Sequence, residues 1–294
     1  EVHRTSDLPL SVIIPVFNES GTIESCIRDL RAALSGRSHE ILIVDDGSTD
    51  TAPGRFEALA DRVIRHSVNR GYGAAVKSGI RHAANDILVI IDADGTYPAD
   101  AIPDLLARLD SFDMVVGDRS QSPESRRNLG PWYRRAAKRL LVATANFLSG
   151  TRIPDLNSGL RAFRRSAVEP FLPLIPPGFS LTTTLTLAFL SEGLRIEYIP
   201  IAYLARSGKE RSKIRPVRDT LSILLTIVRT VTFFHPLKVF LPLSSILVVL
   251  GLAILVIGLV TNNVLDGTIT VLIVSGIQMF VLGLLADMLS RSRR

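Results

Sequence analysis

Two stretches near the end of this chain leave few choices of architecture. No charged residue occurs between Lys238 and Asp266, or between Asp266 and Asp287, and Val239–Thr261 and Gly267–Ala286 are almost wholly apolar. At ~1.5 Å rise per residue, each is long enough to cross a hydrocarbon core of ~30 Å. The connection from Thr261 to Thr268 holds no Lys or Arg, whereas Arg229 and Lys238 precede the pair and Arg291, Arg293 and Arg294 follow it. The positive-inside rule then puts both ends, and the rest of the chain, in the cytoplasm. A buried hairpin in a soluble core is the competing reading, and two adjacent full-length spans with this charge bias disfavour it.

The segment before these spans reads as a different kind of structure. Ile87–Asp94 (ILVIIDAD) is an apolar run that ends in two carboxylates. Runs rich in Ile and Val suit a buried parallel strand. Strand alternation starts Asp92 and Asp94 from one face, at the carboxyl end where open α/β sheets bind ligands. Two carboxylates so placed repel each other unless a cation lies between them, and hard oxygens suit Mg²⁺ or Mn²⁺. Glu40–Asp46 (EILIVDD) ends in the same way, and Leu10–Pro15 (LSVIIP) runs into Val16, Phe17, Asn18 and Glu19. Helical patterns follow each strand: Ile23–Leu34, Ala52–Ala60 and about Ala74–Ala84. Strand, polar loop and helix in repetition imply a right-handed βαβ series with its loops on one edge.

The motifs IPVFNE (Ile14–Glu19), VDDGSTD (Val44–Asp50), NRGYGAAVKSGI (Asn69–Ile80) and DAD (Asp92–Asp94) resemble, in order and spacing, those of the family 2 inverting glycosyltransferases of GT-A fold. VVGDR (Val115–Arg119), DLNSGLRAF (Asp155–Phe163) and SGKERSKI (Ser207–Ile214) resemble the dolichyl-phosphate mannose synthase branch, the polyprenyl-phosphate glycosyltransferases. The resemblance covers about residues 10–215. It implies an α/β, mostly parallel, Rossmann-like GT-A domain over 1–214. A juxtamembrane amphipathic region over 215–237 and a transmembrane hairpin over 238–294, with spans near 239–261 and 268–288, complete the expected organisation.

The same resemblance implies transfer of one sugar from a nucleotide diphosphate sugar, either a UDP-sugar or GDP-mannose, to dolichyl or undecaprenyl phosphate. Asp92 and Asp94 are then the metal ligands, with Ala93 between them beside the donor. The mannose synthases commonly carry a glutamine two residues after the second Asp; here Thr96 stands there, followed by Tyr97. Asp46 matches the carboxylate that contacts the base, and Pro15, Val16, Asn18 and Glu19 are expected to line the base and ribose pocket. Gly71 and Gly73 would let the backbone approach the nucleotide closely. Lys77 faces either phosphate or solvent, solvent being preferred.

Asp155 is expected to position the acceptor, because a phosphate already ionised near neutral pH needs no general base; an Asp capping a turn is the alternative. For the acceptor phosphate the candidates are Arg119, Arg134 and Arg135, with Ser158, Ser212 and Lys213. The arginine fork binds phosphate oxygens bidentately. Arg119 and Arg135 lead, and most of the surrounding cluster (Arg126, Arg127, Lys138, Arg139) reads as solvated or lipid-facing surface. Arg206, Lys209 and Arg211 add charge to a loop expected to close over diphosphate.

A net charge of +6 suggests an anionic partner, and the lack of zinc-like clusters or helix-turn-helix signals argues against nucleic acid. Cys26 is the single cysteine, which fits a buried thiol in a reducing compartment. The polar start, Glu1–Leu8, does not read as a signal peptide. Arg215–Pro236 shows an apolar stripe interrupted by Arg218, Asp219 and Arg229, which suits either an interfacial helix or a helix packed on the sheet. A processive polysaccharide synthase would usually carry QxxRW, which neither Gln121 nor Gln278 begins. A non-catalytic tethered binding module is disfavoured by the intact acidic motifs, and oligomerisation through the spans is compatible with the pattern.

Overall fold

The computed structural model describes residues 8–50, 54–123, 132–178, 180–204, 216–261 and 266–291, without the side chains of 132–138, 140, 216–222 and 291. Among the described residues, seven strands form one sheet: β1 Leu10–Val16, β2 His39–Asp45, β3 Arg62–Arg65, β4 Ile87–Ile90, β5 Met114–Asp118, β6 Arg161–Arg164 and β7 Ile196–Pro200. Their order is β3-β2-β1-β4-β6-β5-β7. β6 runs antiparallel to both its neighbours, and every other pairing is parallel.

That one reversal matters for the site. Arg161, at the start of β6, pairs with Ile90 near the end of β4 and with Val116 near the end of β5. A loop that precedes β6 therefore shares the sheet edge with loops that follow β1, β2, β4 and β5.

Strand alternation divides the core into two layers. Val12, Ile14, Ile41, Ile43, Ile87 and Val89 pack to one face with α1 (Ile23–Ala33) and α3 (Ile102–Arg108). Ile13, Leu42, Val44, Leu88 and Ile90 pack to the other with α2 (Tyr72–His82) and a later helix, Leu181–Ser191. Burial on both faces explains why these strands read as unbroken apolar runs.

Two expectations need correction. The segment expected to be helical over 52–60 forms a series of turns over its described residues, 54–60. Gly54 takes φ +84° and Phe56 inserts fully into the core, so the chain is fixed by one anchor rather than by helical repetition. The strand expected over Ile87–Asp94 ends at Ile90. Residues 93–95 turn, with Gly95 at φ +70°, so Asp92 and Asp94 are placed by a loop and not by strand alternation.

After β5 comes α4 (Trp132–Ser149), then α5 (Leu181–Ser191) and α6 (Pro216–Phe234). Leu141, Ala145, Leu148, Leu187, Ile227 and Val231 join these three in a third cluster. α6 thus packs on the domain through one face, while Leu225 and Phe233 on it remain exposed.

α7 (Leu237–Thr261) and α8 (Asp266–Arg291) are long and apolar enough to cross a membrane. Their mutual seam is built of small residues at seven-residue spacing, Ser244, Gly251 and Gly258 on α7, with Ile269, Gly276 and Gly283 buried on α8. Small residues let helix backbones approach closely where lipid offers no hydrophobic driving force. Lys238 anchors the pair to the domain by donating to Leu148 O at 2.9 Å, at the end of α4.

Candidate active site

The loops after β1 and β2 are tied together by short polar side chains. Asn18 takes φ +55°, and its Oδ1 accepts from Thr49 N at 2.8 Å while its own N–H reaches Ser48 Oγ at 3.1 Å. Ser48 N donates to Asp45 Oδ1 at 2.8 Å. Pro15 and Glu19 are half-buried beside this corner, and Glu19 O accepts from Thr22 and Ile23 as α1 begins. Val16 departs from its expected role, because its side chain lies in the hydrophobic core and leaves only backbone for a ligand.

Asp46 is buried and organises the chain around it. Oδ1 accepts from His66 Nδ1 at 2.6 Å and from Arg70 N at 2.9 Å, and Oδ2 accepts from Gly71 N at 2.7 Å. A carboxylate offers about four lone-pair directions, so three are used in shaping the 66–71 loop.

Gly71 and Gly73 are also required by the chain itself. A Cβ at Gly71 would lie 2.5 Å from Pro177 O, and one at Gly73 would collide with Pro176 O and lie 2.9 Å from Gly178 O. Ala74 N donates to Pro177 O at 3.1 Å. The absent Cβ atoms at these two glycines thus make room for the 176–178 backbone. Lys77 donates to Ile175 O at 3.3 Å, and burial followed by Arg81 lowers its pKa.

The DAD turn carries its own supports. Asp94 is buried, and its Oδ1 accepts from Thr96 Oγ1 at 2.6 Å and Thr96 N at 3.1 Å. Thr96 therefore orients the carboxylate from the position where a glutamine was the reference. Ala93 is packed in the core. Asp92 Oδ1 accepts from Tyr72 Oη at 2.9 Å. Burial, and then the neighbouring Asp92, push the Tyr72 phenol well above its usual range, which keeps it a neutral donor.

No group of three His, Cys, Asp or Glu suited to a metal occurs among the described residues. The two hard carboxylates, Asp92 and Asp94, nevertheless fit Mg²⁺ or Mn²⁺. Such ions are commonly held by one or two carboxylates, with phosphate oxygens and water completing the shell.

Across the site, Arg119 and Asp155 form a two-pronged ion pair. Arg119 Nε reaches Oδ2 at 2.7 Å and Nη2 reaches Oδ1 at 2.9 Å, while Arg119 N also donates to Oδ2 at 3.2 Å. The guanidinium lies 5.8 Å from the Tyr97 ring centre and 5.3 Å from that of Tyr203. Burial opposes the charge on Arg119, but Tyr97, Asp155 and Tyr203 together outweigh it and hold the group above its ordinary range.

The 155–159 loop touches both halves of the site. Gly159 N donates to Tyr97 Oη at 2.7 Å, and a Cβ at Gly159 would lie 2.5 Å from Asp92 Oδ2. Ser158 is corrected from acceptor ligand to scaffold, since it is fully buried and its Oγ donates to Gly117 O at 2.6 Å. Beneath the loop, Arg161 is fully buried and donates to Ser158 O, Leu156 O and Thr186 Oγ1 at 2.8, 3.1 and 2.8 Å. Sequence reasoning passed over Tyr72, Tyr203 and Arg161. Their signal was slight: aromatic or basic residues next to motif positions.

Arg134, Arg135 and Lys138 occupy the first turns of α4, their side chains outside the described set. Arg126, Arg127, Arg206, Lys209, Arg211, Ser212 and Lys213 fall outside the described residues. A cleft of ≈ 790 Å³ between 166–174, the end of α6 and the end of α8 contains none of the site residues named here.

Comparison with known proteins gives this geometry a context. Residues 11–172 match the model of glycosyl transferase family 2, and residues 235–292 match that of the GtrB C-terminal hairpin. Undecaprenyl-phosphate 4-deoxy-4-formamido-L-arabinose transferase of Enterobacter sp. (strain 638) is 35% identical over 171 residues, 55% of this chain and 51% of that protein. The protein of the same name from Pseudomonas aeruginosa (strain LESB58) is 33% identical over 192 residues, 59% of this chain and 55% of the relative. The chain thus spans about half the length of these curated relatives.

Glucosyl-3-phosphoglycerate synthase from Mycobacterium tuberculosis, solved with UDP, superposes with TM-score 0.59 at 23% identity, over 77% of this chain and 81% of that one. The same enzyme solved with Mn²⁺, UDP-glucose and phosphoglyceric acid gives 0.58 at 22%, with the same coverage. At this identity the likeness establishes the fold.

Proposed function

This chain belongs to glycosyl transferase family 2, and on that premise we propose that it is a membrane-tethered inverting enzyme moving one sugar from a nucleotide diphosphate sugar to a polyprenyl phosphate. One observation carries the reading: the Asp92–Asp94 turn and the Arg119–Asp155 pair meet at one sheet edge, across the 155–159 loop, in a chain that ends in a GtrB-type hairpin. The curated relatives, named as undecaprenyl-phosphate transferases, support this acceptor class.

Asp92 and Asp94 would hold Mg²⁺ or Mn²⁺, and the solved neighbours that contain Mn²⁺ or Mg²⁺ support that choice. The ion, when bound, stabilises charge that builds on the leaving diphosphate. Thr96 holds Oδ1 of Asp94 and would limit the rotation of that carboxylate.

On the acceptor side, a phosphate oxygen is already ionised, and the task of the chain is alignment behind the anomeric carbon. Arg119 has five N–H donors, of which Asp155 takes two through its side chain. The others remain for phosphate. Asp155 is then a positioning residue that sets the plane of the guanidinium. Arg135 is the second arginine of this reading.

The hairpin would keep the site near the headgroups, with both ends on the basic, cytoplasmic side. The testing experiment is transfer of radiolabelled sugar from a panel of UDP- and GDP-sugars to undecaprenyl and dolichyl phosphates, with and without Mn²⁺. Metal-dependent product in the lipid extract is expected. Transfer only to a growing polysaccharide would overturn the assignment.

A further inference from the structure

Asp92 is confined more tightly than a loop carboxylate needs to be. Tyr72, in the first turn of α2, donates its phenol O–H to Oδ1 at 2.9 Å. Against the other oxygen lies Gly159, so close that a Cβ there would stand 2.5 Å from Oδ2 and 2.8 Å from Cγ. That wall is itself fixed, because Gly159 N donates to Tyr97 Oη at 2.7 Å.

Tyr72 is equally constrained at its backbone. Its neighbours Gly71 and Gly73 seat against 176–178, and Ala74 N donates to Pro177 O. The carboxylate torsion of an Asp is broad and two-fold when left alone. Here a phenol on one side and a glycine wall on the other leave it one orientation.

The choice of a phenol is informative. A Lys or Arg at this point would neutralise Asp92 and repel a cation. A phenol orients the carboxylate with a dipole and leaves its charge available. Groups of this kind, one bond removed from a metal, set both ligand orientation and metal affinity.

We propose that Tyr72 is a positioning residue for the divalent cation: it fixes the Asp92 carboxylate in the orientation that binds the ion. The inference rests on the reading of Asp92 and Asp94 as metal ligands. It adds that metal affinity is set from the first turn of α2, through a residue whose contact is with the carboxylate itself.

The test uses the full chain in detergent. Mn²⁺ affinity is measured by titration at saturating UDP for wild type, Tyr72→Phe and Asp94→Asn. UDP affinity in EDTA and the metal-free melting temperature are recorded in parallel. Tyr72→Phe keeps the ring and loses the O–H, so Mn²⁺ affinity should fall by roughly ten- to a hundred-fold. UDP affinity without metal and the metal-free melting temperature should stay at the wild-type values.

Unchanged Mn²⁺ affinity in Tyr72→Phe, with the dependence abolished in Asp94→Asn, overturns the role of Tyr72 alone. Equal losses of metal affinity, metal-free UDP affinity and melting temperature would make Tyr72 merely structural and overturn it too. If wild type shows no response to Mn²⁺, or Asp94→Asn keeps a full response, the metal reading itself fails.

Discussion

Arg119 and Asp155, 36 residues apart in sequence, meet through two side-chain hydrogen bonds of 2.7 and 2.9 Å, and the backbone N–H of Arg119 closes the same carboxylate at 3.2 Å. Tyr97 and Tyr203 flank the guanidinium. Asp155 is buried, and the Arg119 side chain is 21% exposed, so the pair is shielded but open on one side.

Removing either partner leaves the other charge poorly compensated. Asp155→Ala should destabilise the protein by about 3 kcal/mol, the low end for a broken buried pair. A double-mutant cycle with Arg119→Ala, read by denaturant unfolding, should return a coupling of about 0.5–3 kcal/mol. In transfer assays, Asp155→Asn and Arg119→Ala should raise the KM for the lipid phosphate and leave nucleotide affinity unchanged. Wild-type acceptor kinetics in both would take the pair out of the acceptor site.

Two glycines make opposite predictions. Gly73→Ala drives a methyl into Pro176 O, so it should lower stability by about 1–3 kcal/mol through overpacking. Gly159→Ala pushes on the Asp92 carboxylate rather than on backbone, and should weaken Mn²⁺ binding more than it weakens the fold. Melting temperature and Mn²⁺ titration on the two variants separate these effects. A Gly73→Ala protein with normal stability and lost UDP binding would instead give that glycine a direct role in the nucleotide pocket.

Cys26 should be inert in the folded chain. Burial, followed by Asp29, Asp94 and Asp92, pushes its thiol up to about 12 from an ordinary 9.0. From about pH 9.0 upward the unfolded chain releases this proton while the native chain retains it. The native state then binds more protons, and stability falls as pH rises through that window. Iodoacetamide should label Cys26 in guanidinium and scarcely at all in native protein at the same pH. Rapid native labelling would contradict the burial.

The hairpin seam predicts which apolar substitutions matter. Gly276→Leu places bulk where a Cβ alone would be 2.7 Å from Val248 Cγ2 and 3.1 Å from Ser244 O. It should lower the melting temperature of the detergent-solubilised protein. Val260→Leu, on a residue that is 79% exposed, should be silent. Equal effects from the two would mean that α7 and α8 do not pack as a close pair.

Much of this molecule was legible from one dimension. Apolar runs with acidic ends marked β1, β2 and β4, because strands covered on both faces carry no polar alternation to disguise them. β3 was not visible: Arg62–Arg65 is a four-residue edge strand whose two ends are exposed arginines, and its place depends on pairing with β2. The seam of Ser244, Gly251 and Gly258 has a regular spacing, but within two uniformly apolar helices that spacing acquires meaning only once they pair.

By itself the sequence determined that β1, β2 and β4 are strands, that two C-terminal segments are long apolar helices and that carboxylates follow the apolar runs, since hydrophobic periodicity and length are local properties. Only tertiary structure decided what each loop residue touches. The antiparallel insertion of β6 turned the DLNSG loop toward the DAD turn and joined Asp155 to Arg119. It also set Gly159 against Asp92, while packing by 176–178 took the space beside Gly71 and Gly73. Those relationships join residues tens of positions apart, and a hydrogen bond or a missing methyl is defined only once both partners occupy the same few ångströms.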